Sequence, residues 1–448
     1  MKDLTSGNIY KNFIFFAFPM VLSGLLSQAY STIDTVIAGK YIGEAGLGAV
    51  GATAPLVTAV SSTIWGLSVG LSVYIASLFG AKEYQRIKNV LFTAVISLFV
   101  IVATVSALLV IFTNPILSFL KVDADIIKEA GIYFRVYISG LFFITMNTFG
   151  VLTTNAFGIS TFPFVMSLLS AFLNISGNIF TVTILDMGVF GIALSSVVAA
   201  IVVDVCYLFK FNSCFRDMGI REVKAQYSLS SLTSASHYYL PNMFQQITMY
   251  FSGFAISPFV NSIGESATAA YTVIQRIYEI NATVYQNSSK TVANFVAQAK
   301  GAGKKHLYKK AVRVGLIQAL LFALPFILVC SLFPEAISNL FFEKGSSAEA
   351  INYSVTFLSY FLPFIVLNVI ANLFHAFFRG LGEKSPLIVA TLVGSLARII
   401  VTLVFISSYK MSGMYIGWVS AWLFDALVGV IYYIIFKKKL KNAEKSYN

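Results

Sequence analysis

The chain has 448 residues, of which 57% are hydrophobic and only 11% charged, and its net charge is +12. A soluble domain clothes its surface with roughly 25% charged residues, so a mostly wet surface is excluded. The basic residues sit in short stretches between apolar runs, which argues against nucleic acid as a partner.

A helix needs about 20 apolar residues to cross a bilayer, and twelve such runs are present. In the first half they lie near 13–39, 46–79, 89–112, 131–157, 163–185 and 188–211. In the second half they lie near 236–261, 265–298, 312–333, 353–379, 386–407 and 413–437. The first run follows Lys2 and Lys11 but is too long for the apolar part of a signal peptide and contains Asp34, so it reads as a retained helix. The runs at 46–79 and 265–298 are overlong and should tilt, bend or project beyond the bilayer. Pro19, Pro55, Pro241 and Pro363 interrupt apolar runs and predict bend points. The predicted class is an all-α, multi-pass integral membrane protein with twelve transmembrane helices.

Cytoplasmic loops carry the excess of Lys and Arg. With the N-terminus inside, the inward segments hold 22 of the 31 basic residues and the outward loops hold six: Lys40, Lys121, Lys128, Arg135, Lys344 and Lys410. Both termini are therefore expected in the cytoplasm. Cys206, Cys214 and Cys330 have no metal-binding or disulfide spacing and read as packing residues.

The chain also repeats itself. Gly43-Glu44 to Gly264-Glu265, Gly80-Ala81 to Gly301-Ala302 and Asp204 to Asp425 all step by 221 residues. Six spans per half return the chain to its starting side, so the halves share one orientation and are related by an axis along the membrane normal. The predicted division is an N-terminal half at 1–211, a polar basic linker at 212–235 and a C-terminal half at 236–448.

Several ordered motifs resemble the multidrug and toxic compound extrusion (MATE) transporters. They are Gln28-Ala-Tyr-Ser-Thr-Ile-Asp34 through Gly39, Gly43-Glu-Ala-Gly-Leu-Gly-Ala-Val-Gly51, Gly80-Ala81, Asn174-Ile-Ser-Gly-Asn178 and Gln298-Ala-Lys-Gly-Ala-Gly303. The resemblance covers nearly the whole chain. It implies two pseudo-symmetric six-helix lobes forming a V around a central cavity, alternating access, and export of organic solutes in exchange for Na⁺ or H⁺.

Asp34 is the sharpest candidate residue, because an ionised carboxylate inside an apolar run is costly unless paired, neutralised or bound to a cation. Asn174 and Asn178 are four apart and share a helix face. Their amide oxygens are hard neutral ligands, suited with one carboxylate to a monovalent cation; the alternative is hydrogen bonding between helices. In the family, residues matching Asp34, Asn174, Asn178 and Ser196 line a cation site, which would be Na⁺ on Asp34, Asn174 and Asn178 if the chain is sodium-coupled. Many relatives have a second carboxylate where this chain has Asn178.

In the second half the amides Gln245, Gln246, Asn368 and Asn372, with His375, either line a solute path or bond between helices. No carboxylate accompanies them in the seventh and tenth spans, which weighs against a second cation site of the family kind. Gln28 stands with Tyr30, Tyr250 and Tyr278 as a candidate for the cavity wall, where aromatic faces attract organic cations. Arg276 and Glu279 are three apart and either neutralise each other or bind a charged solute. Asp204 and Asp425 occupy equivalent places and read as snorkelling or as structural partners of the following lysines.

No Gly-rich loop ending in Gly-Lys-Ser/Thr is visible, which argues against direct drive by ATP. Three separated histidines, His237, His306 and His375, do not make an enzyme centre, and no cofactor beyond the coupling ion is implied. The expected function is an antiporter, working as a monomer in a bacterial inner membrane, that exports cationic or amphipathic solutes. The alternative is a flippase for lipid-linked precursors on a related fold.

Overall fold

A computed structural model describes residues 1–120, 122–342 and 345–445. Lys121 and Lys344, counted above among the outward cations, lie outside the described residues. Among the described residues there is no strand. The helices are α1 (Ile9–Ile37), α2 (Glu44–Gly80), α3 (Tyr84–Ile111), α4 (Thr113–Phe119), α5 (Ile127–Ser139), α6 (Leu141–Ala156), α7 (Thr161–Ile179) and α8 (Gly188–Asp217). They continue with α9 (Leu229–Asn261), α10 (Glu265–Gly301), α11 (Tyr308–Leu332), α12 (Pro334–Asn339), α13 (Ala348–Thr356), α14 (Ile365–Leu381), α15 (Lys384–Tyr409) and α16 (Met411–Lys445).

Among the described residues, nine helical segments are long and apolar enough to cross a bilayer, and the bent pair α5–α6 makes a tenth. The remaining two predicted spans are α9 and α10. At 33 and 37 residues they are long enough, but too polar to count with the others. The polarity of α10 has a structural outlet: Asn281, Ser288, Ser289, Thr291, Asn294 and Gln298 are all buried against protein rather than presented to lipid. Helices α2 and α10 each run 37 residues without a break. That is about 55 Å, well beyond a hydrocarbon core of about 30 Å.

Two predicted single runs are broken. The run at 131–157 is α5 and α6, which meet at Gly140 with a 50° bend. A Cβ on Gly140 would lie 2.1 Å from Val197 Cγ2, so only glycine lets α8 pack into the bend. The run at 353–379 is interrupted by a π-turn (Phe357–Phe361) and a 3₁₀ turn (Leu362–Phe364). Pro363 has no N–H to continue an α-helical ladder.

The chain packs as two compact units, Met1–Asp3 with Leu22–Met243, and Leu4–Val21 with Phe244–Asn448. The divisions fall inside α1 and α9. The non-helical connection at 218–228 belongs to the first unit and is strapped to α3. Lys88 Nζ donates to the carbonyls of Ile220, Arg221 and Val223 at 2.9, 2.7 and 2.5 Å. Asn89 Oδ1 and Thr93 Oγ1 each accept a backbone N–H, from Gln226 and Ser228, at 3.0 Å.

Lipid tails are as apolar as leucine, so burial of apolar area does not drive helices together inside a bilayer; close packing does. In the first unit Ala38, Ala49, Val50, Ala130, Tyr133, Val182, Val189 and Ala193 form one small-residue core joining α2, α5 and α8. The second unit is more aromatic, with Tyr285, Phe357, Tyr415, Trp418 and Trp422 buried together.

Candidate functional site

Asp34 lies near the end of α1, one turn before a π-turn at Ala38–Ile42. Asn174 and Asn178 lie on α7, and a second π-turn, Phe180–Ile184, begins two residues later. π-turns widen a helix locally and recur at functional sites. Here both flank the polar side chains and pack against each other and against α8.

The four predicted first-half residues meet. Asn178 Nδ2 donates to Asp34 Oδ1 at 2.6 Å, and at 3.3 Å to Asn174 Oδ1. Asn174 Nδ2 donates to Ser196 Oγ at 2.9 Å, and Ser196 passes its hydroxyl proton to the Ile192 carbonyl at 3.2 Å. Asn178 Nδ2 thus donates both ways, to the carboxylate and into a run of hydrogen bonds through Asn174 to Ser196, and the set joins α1, α7 and α8. Asn174 and Asn178 are buried and Asp34 and Ser196 half-buried. Asn178 Oδ1 is shut off from solvent and has no hydrogen-bond partner among the described residues. A buried carbonyl oxygen left without a donor is costly, so this atom marks where the chain of contacts is incomplete.

The α7–α8 seam beside the chain is lined with hydroxyls. Thr181 Oγ1 donates to the Gly177 carbonyl at 2.8 Å and stands 3.3 Å from Ser195 Oγ. A Cβ on Gly177 would come within 3.0 Å of Ser195 Cβ, so the helices approach closely where the site is built.

A cavity of about 270 Å³ within the first unit opens onto this chain. Asp34, Asn174, Ser196 and Tyr30 are on its wall, with Tyr133, Tyr137, Thr58, Asn147, Thr148 and Ser170. The last six were not singled out from the sequence. Their signal was present but weak: Tyr133 and Tyr137 are one turn apart on one helix, and Asn147 and Thr148 are adjacent on the next. The rings of Tyr133 and Tyr137 lie nearly parallel with centroids 6.0 Å apart. Gln28, half-buried, does not line this cavity.

In the second unit the predicted residues separate into groups. Asn368 Nδ2 donates to Tyr278 Oη at 3.0 Å and Tyr285 Oη at 2.8 Å, and Asn372 donates to Asn368 Oδ1 at 2.9 Å. Asn368 thus bonds between α14 and α10, while Asn372 bonds within α14. Tyr278 stacks on Trp422 and packs against Trp418, inside the aromatic core. Arg398 lies 5.0 Å over Trp418 and donates to Ser252 at 3.3 Å. Gln246 is half-buried and Tyr250 exposed. Arg276 and Glu279 are both exposed. Among the described residues they make no direct ion-pair contact, although Glu279 feels the charge of Arg276.

The remaining group was not anticipated. Arg379 Nη2 donates to Gln245 Oε1 at 2.9 Å, and Gln245 Nε2 lies 2.6 Å from His375 Nδ1. His375 Nε2 in turn lies 2.8 Å from Asp425 Oδ1. The partner of Asp425 is therefore this histidine rather than a following lysine, because α14 packs against α16 and brings His375 to the carboxylate. Its counterpart Asp204 has both carboxylate oxygens buried and without a hydrogen-bond partner among the described residues. Sequence equivalence at the 221-residue step thus carries over in position but not in partners.

Comparison with known proteins identifies the lineage. The MatE family model matches residues 19–180 and again 241–404, once in each half. The chain belongs to the MatE family. Its relatives include a probable multidrug resistance protein, YoeA, of Bacillus subtilis, 25% identical over 75% of this chain and 74% of the relative. NorM of Thermotoga maritima, also a probable multidrug resistance protein, is 22% identical over 97% and 91%. Among solved structures, a MATE protein in complex with MaL6 superposes with a TM-score of 0.90 at 20% identity, over 98% of this chain and 99% of that one. The MatE fold and its membership of a transporter family follow. The double match also accounts for the internal repeat, each half carrying one copy of the MatE module.

Proposed function

We propose that this MatE protein is a secondary antiporter that exports organic solutes, cationic or amphipathic, in exchange for Na⁺ or H⁺ by alternating access. It would act as a monomer in a bacterial inner membrane with both termini in the cytoplasm. The coupling ion would be taken by Asp34 with Asn174, Asn178 and Ser196.

The observation that carries this reading is the buried, unpartnered Asn178 Oδ1 on the side chain that bonds the Asp34 carboxylate, which itself lies on the wall of a cavity. The donor set supplies one negative charge and several neutral hard oxygens. That composition balances a monovalent cation or a proton and is too weakly charged for a divalent ion, which prefers several carboxylates. Among the described residues no cluster of three or more His, Cys, Asp or Glu could hold a metal of another kind. An ion that binds one conformation better than the other shifts the equilibrium between them, and this is how occupancy at Asp34 would drive export. The phenols of Tyr30, Tyr133 and Tyr137 give the same cavity aromatic faces for an organic cation.

The test is dye efflux from proteoliposomes under an imposed Na⁺ gradient and, separately, a proton gradient. Efflux under one of them, abolished in Asp34→Asn while membrane insertion persists, supports the reading and names the ion. Efflux unchanged in Asp34→Asn removes Asp34 from coupling. No efflux of any cationic dye under either gradient favours a flippase for lipid-linked precursors.

A further inference from the structure

Charge is scarce in the helices of this chain, so two cations placed side by side within the second unit call for a reason. Lys290 of α10 and Arg379 of α14 are such a pair. Helix α14 presses on α10 at this level: a Cβ on Gly380 would lie 2.7 Å from both the Ala293 carbonyl oxygen and Val296 Cβ. Lys290 stands one turn before Ala293 and Arg379 directly before Gly380, and the ammonium feels the charge of the guanidinium. Both side chains are half-buried, so a solute can reach them. The fold itself does not demand a cation here. Helices α2 and α10 match end to end at the 221-residue step, and the counterpart of Lys290 is the buried Val69.

The guanidinium is anchored but mostly unused. Arg379 Nη2 donates to Gln245 Oε1 at 2.9 Å, and Gln245 is 6% exposed and tied in turn to His375 Nδ1 at 2.6 Å. A guanidinium has five N–H groups and accepts nothing. Among the described residues neither Nη1 nor Nε of Arg379 has an acceptor, and no carboxylate pairs with this side chain. Asp425 is engaged by His375 at 2.8 Å instead. Lys290 Nζ donates to a neutral oxygen of its own helix, Asn287 Oδ1, at 2.8 Å. Arg398, another cation within a span, is covered by Trp418 and donates to Ser252, so it stands apart from the pair. A charged donor held away from water without an acceptor is costly. A fixed guanidinium with vacant N–H groups and an ammonium beside it is complementary to one anionic group that both can grip.

We propose that Lys290 and Arg379 form an anion subsite of the second unit, which takes the carboxylate or phosphate of an amphipathic solute. Gln245 is a positioning residue: it holds the guanidinium in place and leaves its other N–H groups for the ligand. Two adjacent positive charges repel a cationic group, so a solute that is only a cation is not held here. The proposal rests on the reading of the chain as an exporter of amphipathic solutes and narrows it to those that carry an anionic group.

The test is binding by the full chain in nanodiscs of neutral lipid, with no gradient and no export. The probe is a coumarin dye bearing a carboxylate, with its uncharged amide as the control, both followed by fluorescence polarisation. The unaltered chain should hold the acid more tightly than the amide and lose the acid, but not the amide, as salt rises. Lys290→Gln and Arg379→Gln should each weaken the acid by roughly tenfold, the worth of one charge-assisted hydrogen bond, and leave the amide unchanged. Arg379→Lys keeps the charge without the planar fork and should recover part of the affinity. Lys309→Gln removes an exposed cation from α11 and should change neither ligand. Displacement of the dye by inorganic phosphate supports a site for free anions; displacement only by phosphatidic acid in the disc supports one for a lipid head group. Equal, salt-insensitive binding of acid and amide by the unaltered chain overturns the subsite however the variants fold. So does an unchanged affinity for the acid in both Gln variants. If these bindings hold while proteoliposomes export no solute, the exporter reading fails and the anion subsite stands.

Discussion

Asn178 reaches Asp34 across 144 residues of chain and places its Nδ2 2.6 Å from the carboxylate, while its own Oδ1 is buried without a partner. One side chain therefore does two things that oppose each other energetically. Its amide hydrogen stabilises the negative charge, and its bare oxygen adds an uncompensated acceptor alongside.

Replacing Asn178 separates the two effects. In Asn178→Leu the orphan acceptor disappears, but Asp34 loses its donor inside a low-dielectric site, which costs about 1–3 kcal/mol. The variant is expected to unfold at lower temperature at neutral pH and to regain much of the loss in acid, where Asp34 is protonated and needs no donor. Thermal unfolding in detergent at the two pH values checks this. Equal destabilisation at both would mean that Asn178 matters by packing rather than through Asp34.

The bend at Gly140 makes a second prediction. Gly140→Ala puts a methyl 2.1 Å from Val197 Cγ2 and 2.6 Å from Cγ1. Overpacking of this kind costs about 1–3 kcal/mol. Val197→Ala removes the two nearest methyls and leaves only its Cβ, 2.9 Å away, so the double variant should recover part of the loss. A double-mutant cycle on thermal stability reads the coupling, and strictly additive effects would show that α8 does not restrain the bend.

The strap at Lys88 concerns the connection between α8 and α9. Three carbonyls share its ammonium group, and Lys88→Met leaves them to water. Because the segment is largely exposed, the loss of global stability should be small. Local order should suffer more, exposing the bonds after Arg221 and Lys224 to trypsin. Limited proteolysis should show faster cleavage there in Lys88→Met at an unchanged unfolding temperature; an unchanged cleavage rate would mean that Asn89 and Thr93 hold the segment without Lys88.

Much of this was legible in the amino-acid sequence because the bilayer imposes simple rules. Apolar runs of fixed length mark helices, and an acid such as Asp34 inside one stands out by its cost. The i, i+4 spacing of Asn174 and Asn178 predicts a shared face, and the 221-residue step exposes the duplication. These signals depend on composition and local periodicity alone.

Other features needed the tertiary structure, because they depend on which distant helices touch. The sequence does not show that 131–157 breaks at Gly140, since the side chain packed against that glycine is Val197, on α8. Tyr133 and Tyr137 joined the Asp34 cavity only when α5 packed beside α2 and α8. Periodicity could not distinguish Asp204 from Asp425, which occupy the same place in each repeat; packing did, by bringing His375 to one and no hydrogen-bonding partner among the described residues to the other. Helix faces are a local property of the chain, but the partner of a buried polar group is settled by neighbours more than a hundred residues away, as with Gln245 and His375.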